Sequence, residues 1–114
     1  MSNLSIRQGG RLTGTVQVPG DKSISHRALL LGALGQGVTR VRGFLHSGDC
    51  KATLACVRGL GIQVDQPGPL ELAVHGRGPG GIEEPAQPLD CVTSGTTMRL
   101  LAGIIAGSPV MAVL

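Results

Sequence analysis

Residues Pro19-Gly20-Asp21-Lys22-Ser23-Ile24-Ser25-His26-Arg27 place one ammonium, one hydroxyl and one guanidinium where a helix is expected to begin. Pro19-Gly20 breaks the preceding extended stretch, and Asp21 or Ser23 is a suitable cap. With a helix from Ser23, Ser23 and Arg27 lie four apart and share a face, and Lys22 sits at the mouth. Free backbone N–H groups and the helix dipole favour an anion at such a mouth. The chemistry suits a phosphorylated or carboxylated small molecule. The plainer reading of this stretch is a capped surface helix with two solvated cations.

A second constellation repeats the logic. In Thr93-Ser94-Gly95-Thr96-Thr97-Met98-Arg99 a hydroxyl-rich turn opens another helix. Gly95 permits close approach of a ligand to the backbone, and Thr96 and Thr97 add hydroxyl donors. Taken alone, this is an ordinary N-cap before a core helix. Two such mouths in one short chain are a more specific signal.

The remaining pattern must position these mouths. Leu12 to Val18 reads as a strand, and Ser23 to Leu34 as a helix with Ile24, Ala28, Leu31 and Leu34 on its buried stripe. Gly35 and Gly37 end it. Val38 to Leu45 reads as a strand. Ser47-Gly48-Asp49 caps a helix up to Leu60, with Cys50, Leu54, Val57 and Leu60 inward. Ile62 to Gln66 and Leu70 to His75 read as a hairpin around Pro67-Gly68-Pro69. A Gly- and Pro-rich loop runs from Gly76 to Pro88. Ser94 to Ala106 reads as a deeply buried third helix, because its apolar residues fall on more than one face. Val110 to Leu114 reads as a further strand. The fold class is α/β (α+β), in the order β-α-β-α-β-β and then α-β. Ending within an apolar strand suggests an incomplete, inactive fragment.

The chain has 114 residues, 41% of them hydrophobic, which argues against disorder. One Phe and no Trp or Tyr leave no base-stacking platform, and the +3 net charge is scattered rather than clustered. An anionic small ligand therefore fits better than nucleic acid. Cys50, Cys56 and Cys91 have neither disulfide-framework nor metal-site spacing, so reduced, buried thiols in a cytoplasmic protein are expected. No spacing of His, Cys and carboxylates suggests a metal site. His26 reads as a packing or hydrogen-bonding residue, and His46 and His75 as surface residues. The apolar run from Leu100 is short and interrupted, so no membrane span is expected.

Together, residues 19–27, Ser-Gly-Asp-Cys-Lys-Ala-Thr-Leu at 47–54, Arg58-Gly59-Leu60-Gly61 and Ser-Gly-Thr-Thr-Met-Arg at 94–99 resemble the enolpyruvyl transferase family over nearly the whole chain. The Asp-Lys-Ser-Ile-Ser-His-Arg run resembles the branch acting on shikimate 3-phosphate; the branch acting on UDP-N-acetylglucosamine has Lys-Asn there and no matching Arg. The resemblance implies two lobes, each of three β-α-β-α-β-β units, with the site in the cleft between them. Residues 1–18 would be a strand shared with the other lobe, 19–75 the first unit and 76–114 the start of the second. Lys22 would lie near the interlobe hinge.

The implied reaction moves the enolpyruvyl group of phosphoenolpyruvate to the 5-hydroxyl of shikimate 3-phosphate and releases phosphate, on the route to chorismate and aromatic amino acids. No cofactor is implied. The partner would be the missing C-terminal lobe of the same polypeptide. By the resemblance Lys22 is catalytic and touches both substrates, Ser23 and Arg27 bind shikimate 3-phosphate, and Gly95 and Thr96 line the phosphoenolpyruvate site. Asp49, Thr93 and Arg99 are further candidates; Asp49 reads equally well as a helix cap. The family usually has Gly-Asn before Ser-Gly-Thr, where this chain has Val92-Thr93. Val92 does not easily adopt the positive φ open to Gly, and Thr93 lacks the amide, so an effect on phosphoenolpyruvate binding is expected. Against the enzyme reading stand a noncatalytic anion-binding α/β module and a purely structural α/β piece that needs a partner segment to fold.

Overall fold

The Asp21 carboxylate starts the first helix, α1 (Lys22–Leu34), by accepting a 2.8 Å hydrogen bond from the Ile24 N–H. The computed structural model describes residues 1–114. After α1 come β1 (Gln36–Arg42), α2 (Gly48–Gly59), β2 (Gln63–Gly68), β3 (Glu71–Arg77) and α3 (Gly95–Ala106). Ser47 caps α2 through the Cys50 N–H, and Ser94 caps α3 through the Thr97 N–H. The three strands form one antiparallel sheet in the order β1-β3-β2. The β2–β3 turn falls at Pro69-Leu70, and a register shift between Asp65 and Gly68 lets the strand absorb Pro67.

Helices α1 and α2 pack together, with α1 lying against the sheet and α3 resting on α2 and α1. Gly32 is where α1 meets the sheet: a Cβ there would lie 3.2 Å from Val74 Cβ and 3.3 Å from Thr39 Cβ. Leu29, Phe44, Val57, Leu72, Val74 and Leu101 centre the core. Burying a side chain such as Leu29, which is fully enclosed, stabilises by roughly 1.5–3 kcal/mol. The α2 stripe Cys50, Leu54, Val57 and Leu60 is buried as its spacing predicts.

Four expectations need correction. Leu12 to Val18 is not a strand: it has no ladder partner among these residues, and Leu12, Val16 and Val18 are exposed. Val110 to Leu114 is not a strand either. It is tethered by the Leu89 N–H on the Val113 carbonyl and by the Met111 N–H on Glu84. The α1 stripe is rotated: Ile24 and Leu31 are 69% and 68% exposed, while Ser25, His26, Leu29, Leu30 and Ala33 face inward. Two polar residues occupy the inner face because both find partners there, Ser25 Oγ with the Leu45 N–H and His26 Nδ1 with Thr53. Lastly, α3 is not deeply buried. Only Thr97 and Leu101 are enclosed, and Met98 is exposed.

All three cysteines are buried free thiols. Burial, reinforced by Cys91 and Asp90, pushes the Cys56 thiol up to about 12, so it stays protonated and unreactive. No helix is long and apolar enough to cross a membrane.

Candidate functional site

The packing that builds the core also brings the three helix N-termini to one end of the molecule. Lys22, the first residue of α1, places its Nζ 2.5 Å from Asp49 Oδ2 in the first turn of α2. Cys50 Sγ donates to the Lys22 carbonyl at 3.6 Å. The Asp49 carbonyl in turn accepts from Thr97 Oγ1 of α3 at 3.4 Å. Three sets of unpaired N–H groups and three positive dipole ends therefore meet.

Two glycines allow the close approach. Pro19-Gly20 runs against the end of β1, where a Cβ on Gly20 would collide with the Gly43 carbonyl oxygen. At α3, Arg99 folds its guanidinium back over the first turn, and a Cβ on Gly95 would lie 2.5 Å from its Nη1. Gly95 itself is exposed and Thr96 half-buried, so this mouth is open to a ligand.

The charges at the mouths are unequal. Three cations, Lys22, Arg27 and Arg99, stand at the mouths with two carboxylates, Asp49 paired with Lys22 and Asp21 capping α1. The hydrogen bond and charge of Asp49 hold the Lys22 ammonium above its ordinary pKa, so it remains a cation through neutral pH. Asp49 is not the cap of α2, a role that Ser47 fills through the Cys50 N–H; it is a first-turn acid of that helix and the partner of Lys22. Arg27 Nη1 donates to the Ser23 carbonyl at 3.2 Å, confirming that these residues share a face. Ser23, Arg27, Thr93 and Arg99 are exposed at the surface of the site.

One expected donor is withdrawn from it. Thr97 is fully buried, and its hydroxyl is bound by Thr53 at 2.7 Å and by Ser94 at 2.6 Å. Periodicity alone does not separate Thr96, which reaches the mouth, from Thr97, which turns inward. His26 is buried and hydrogen-bonded, in line with its reading as a packing or hydrogen-bonding residue, but its partner Thr53 is one that sequence patterning does not single out. Burial, helped by the Lys22 and Arg27 charges and opposed by Asp49, lowers the His26 pKa, so the imidazole is neutral.

The turn before α3 carries strain. Val92 is the one non-glycine residue with positive φ, at 53°, and its N–H is held by Asp90 Oδ1 at 2.8 Å. A β-branched residue is an outlier there, at a cost of roughly 1–2 kcal/mol. Val92→Gly combined with Thr93→Asn is expected to raise thermal stability slightly in a full-length chain. An unaltered melting temperature would show that the turn is neutral.

Residues 6–114 match the family described as EPSP synthase (3-phosphoshikimate 1-carboxyvinyltransferase). The chain is 51% identical over its full length to the 3-phosphoshikimate 1-carboxyvinyltransferase of Chloroflexus aurantiacus, of which it covers 26%. It is 53% identical to that of Pelobacter propionicus, again over the full chain and 26% of the relative. An EPSP synthase structure from Acinetobacter baumannii superposes with a TM-score of 0.75 at 45% identity, covering 80% of this chain and 21% of that one. The chain thus spans about a quarter of the length of the curated relatives it matches.

Proposed function

Since this chain belongs to the EPSP synthase family, we propose that the protein containing it transfers the enolpyruvyl group of phosphoenolpyruvate to the 5-hydroxyl of shikimate 3-phosphate. The 5-hydroxyl adds to the enol carbon as the methylene carbon takes a proton. The tetrahedral adduct then loses a proton from the new methyl group together with phosphate, which regenerates the enol double bond. The single observation that carries this reading is the junction of three helix N-termini around Lys22 and Asp49. Both substrates are multiply anionic, and preorganised cations and N–H groups are what such a site needs.

In this reading Lys22 contacts both substrates and is the catalytic residue. It acts as a fixed cation rather than a base, because Asp49 keeps it protonated. Ser23 and Arg27 bind shikimate 3-phosphate from α1. The Gly95 backbone and Thr96 line the phosphoenolpyruvate site at α3, with Thr93 and Arg99 beside it. Asp49 orients Lys22. Residues 19–75 form the first unit of a lobe, 76–114 begin the second, and the arm 1–18 belongs with the other lobe. The remaining cleft charges come from the rest of the polypeptide, and the enzyme works in the cytoplasm.

Phosphate release from the two substrates by the full-length protein tests this directly. No release refutes the reading, and turnover of UDP-N-acetylglucosamine instead assigns the sister reaction. Arg27→Ala is expected to weaken shikimate 3-phosphate by roughly 1.5–3 kcal/mol, the worth of a charged hydrogen bond, and phosphoenolpyruvate much less. Equal losses for both ligands in calorimetry would remove Arg27 from the shikimate 3-phosphate side.

A further inference from the structure

Behind the exposed mouths lies a buried polar chain with no role in the reaction described so far. His26 Nδ1 lies 2.7 Å from Thr53 Oγ1, Thr53 Oγ1 lies 2.7 Å from Thr97 Oγ1, and Thr97 Oγ1 lies 2.6 Å from Ser94 Oγ. Ser94 Oγ also accepts the Thr97 N–H at 3.1 Å. His26, Thr53 and Thr97 are fully enclosed and Ser94 is 3% exposed. One residue comes from each of α1, α2 and α3, and the cap of α3 closes the chain.

The position of each link matters. His26 is next to Arg27 and one turn beyond Lys22. Thr53 is one turn beyond Asp49. Thr97 is next to Thr96. The chain therefore runs one layer beneath the proposed ligand contacts. Every side-chain hydrogen bond from α3 to another helix uses Thr97 Oγ1, through Thr53 or the Asp49 carbonyl. Apolar contacts alone hold the rest of α3 on its neighbours, and they are non-directional.

The proton order follows from what is left unpaired. His26 Nε2 is buried without a partner. An orphaned buried N–H is rarer than an orphaned acceptor, which assigns the proton to Nδ1, donating to Thr53. The Thr53 hydroxyl then donates to Thr97, and the single Thr97 hydroxyl proton is shared between Ser94 Oγ at 2.6 Å and the more distant Asp49 carbonyl at 3.4 Å. Each hydroxyl has one direction left, so the chain fixes rotamers on three helices at once.

We propose that the His26–Thr53–Thr97 chain is a strut that sets the spacing between the α1 and α3 mouths, and so makes these three residues positioning residues for bringing the two anionic substrates together. The catalytic part of this statement rests on the function proposed above. Each mouth binds its own ligand locally, so loss of the strut leaves binary binding nearly intact. It harms the step that needs both ligands at the right separation, where an error of about 1 Å costs on the order of 100-fold.

Thr53→Val in the full-length enzyme removes the central hydroxyl with little change of shape. Shikimate 3-phosphate Kd by calorimetry is expected to stay within roughly threefold while kcat falls roughly 10–100-fold. Thr53→Ser, which restores the hydroxyl, is expected to recover most of kcat. Amide exchange at Thr97 is expected to accelerate roughly tenfold in Thr53→Val as the α3 mouth loosens. Wild-type-like kcat in Thr53→Val, or a Thr53→Ser variant as impaired as Thr53→Val, overturns the proposal. Should Thr53→Val not fold, Thr97→Val cuts the same chain at α3 and is judged by the same split between Kd and kcat. If the wild type itself releases no phosphate, the proposed function fails separately; the strut is then judged by exchange at Thr97, and unchanged exchange overturns it.

Discussion

Lys22→Met in the full-length enzyme is expected to lower kcat on the order of 10²–10³-fold, the scale for losing one preorganised charge-stabilising donor, with almost no change in melting temperature. The two halves of that expectation have different physical origins. The Lys22 side chain is half exposed, and its 2.5 Å pair with Asp49 sits at the surface. Solvent-exposed pairs of this kind contribute little to stability. The ligand side is different. Removing the ammonium deletes a cation held in place before any substrate arrives. It also strips Asp49 of its partner, so in the proposed reaction the mouth would present an uncompensated carboxylate to two anions. The double variant Lys22→Met with Asp49→Asn should therefore regain part of the lost binding, but not the lost kcat. Single-variant kcat within roughly threefold of wild type would contradict the assignment of Lys22 to the reacting centre.

The parts of this structure that were legible in the sequence are those where one physical rule acts alone. On α2, apolar spacing and a Ser cap agree, and Cys50, Leu54, Val57 and Leu60 are buried as that spacing predicts. The α1 and α3 mouths were legible for the same reason, since capping chemistry is local. On α1 two rules compete. The stripe through Ile24 and Leu31 satisfies periodicity, yet His26 and Ser25 take the inner face because hydrogen-bond partners await them on other elements. Those partners are twenty or more residues away in sequence, where no local pattern reaches. The same long-range dependence accounts for Leu12 to Val18, since β-branched alternation becomes a strand only beside another strand. At Val92 the sequence shows the departure from Gly and the structure shows its consequence, a strained turn rather than a different one.

Gly20→Ala is the substitution expected to be most damaging to the scaffold, and the reason lies in backbone meeting backbone. A Cβ at Gly20 would strike the Gly43 carbonyl oxygen and lie 3.0 Å from the Leu45 N–H nitrogen. Neither group can swing aside as a side chain would. The Leu45 N–H is already committed to Ser25 Oγ at 3.0 Å, so the segment 43–45 is tied to α1 from its other side. Relief requires the Pro19-Gly20 turn to move away from β1, carrying the Asp21 cap and Lys22 with it. Overpacking of this kind costs roughly 1–3 kcal/mol or more. The entropy gained by replacing Gly in the unfolded chain offsets only about 0.4–1 kcal/mol of that. The expected result in the full-length protein is a lower urea midpoint together with a raised KM for shikimate 3-phosphate, since the displaced turn separates Lys22 from Asp49. Gly80→Ala is the matched control, because a Cβ there meets nothing within 4 Å; it should be neutral or slightly stabilising. Equal urea midpoints for the two variants would mean that the approach of residue 20 to residues 43–45 does not hold the α1 mouth in place.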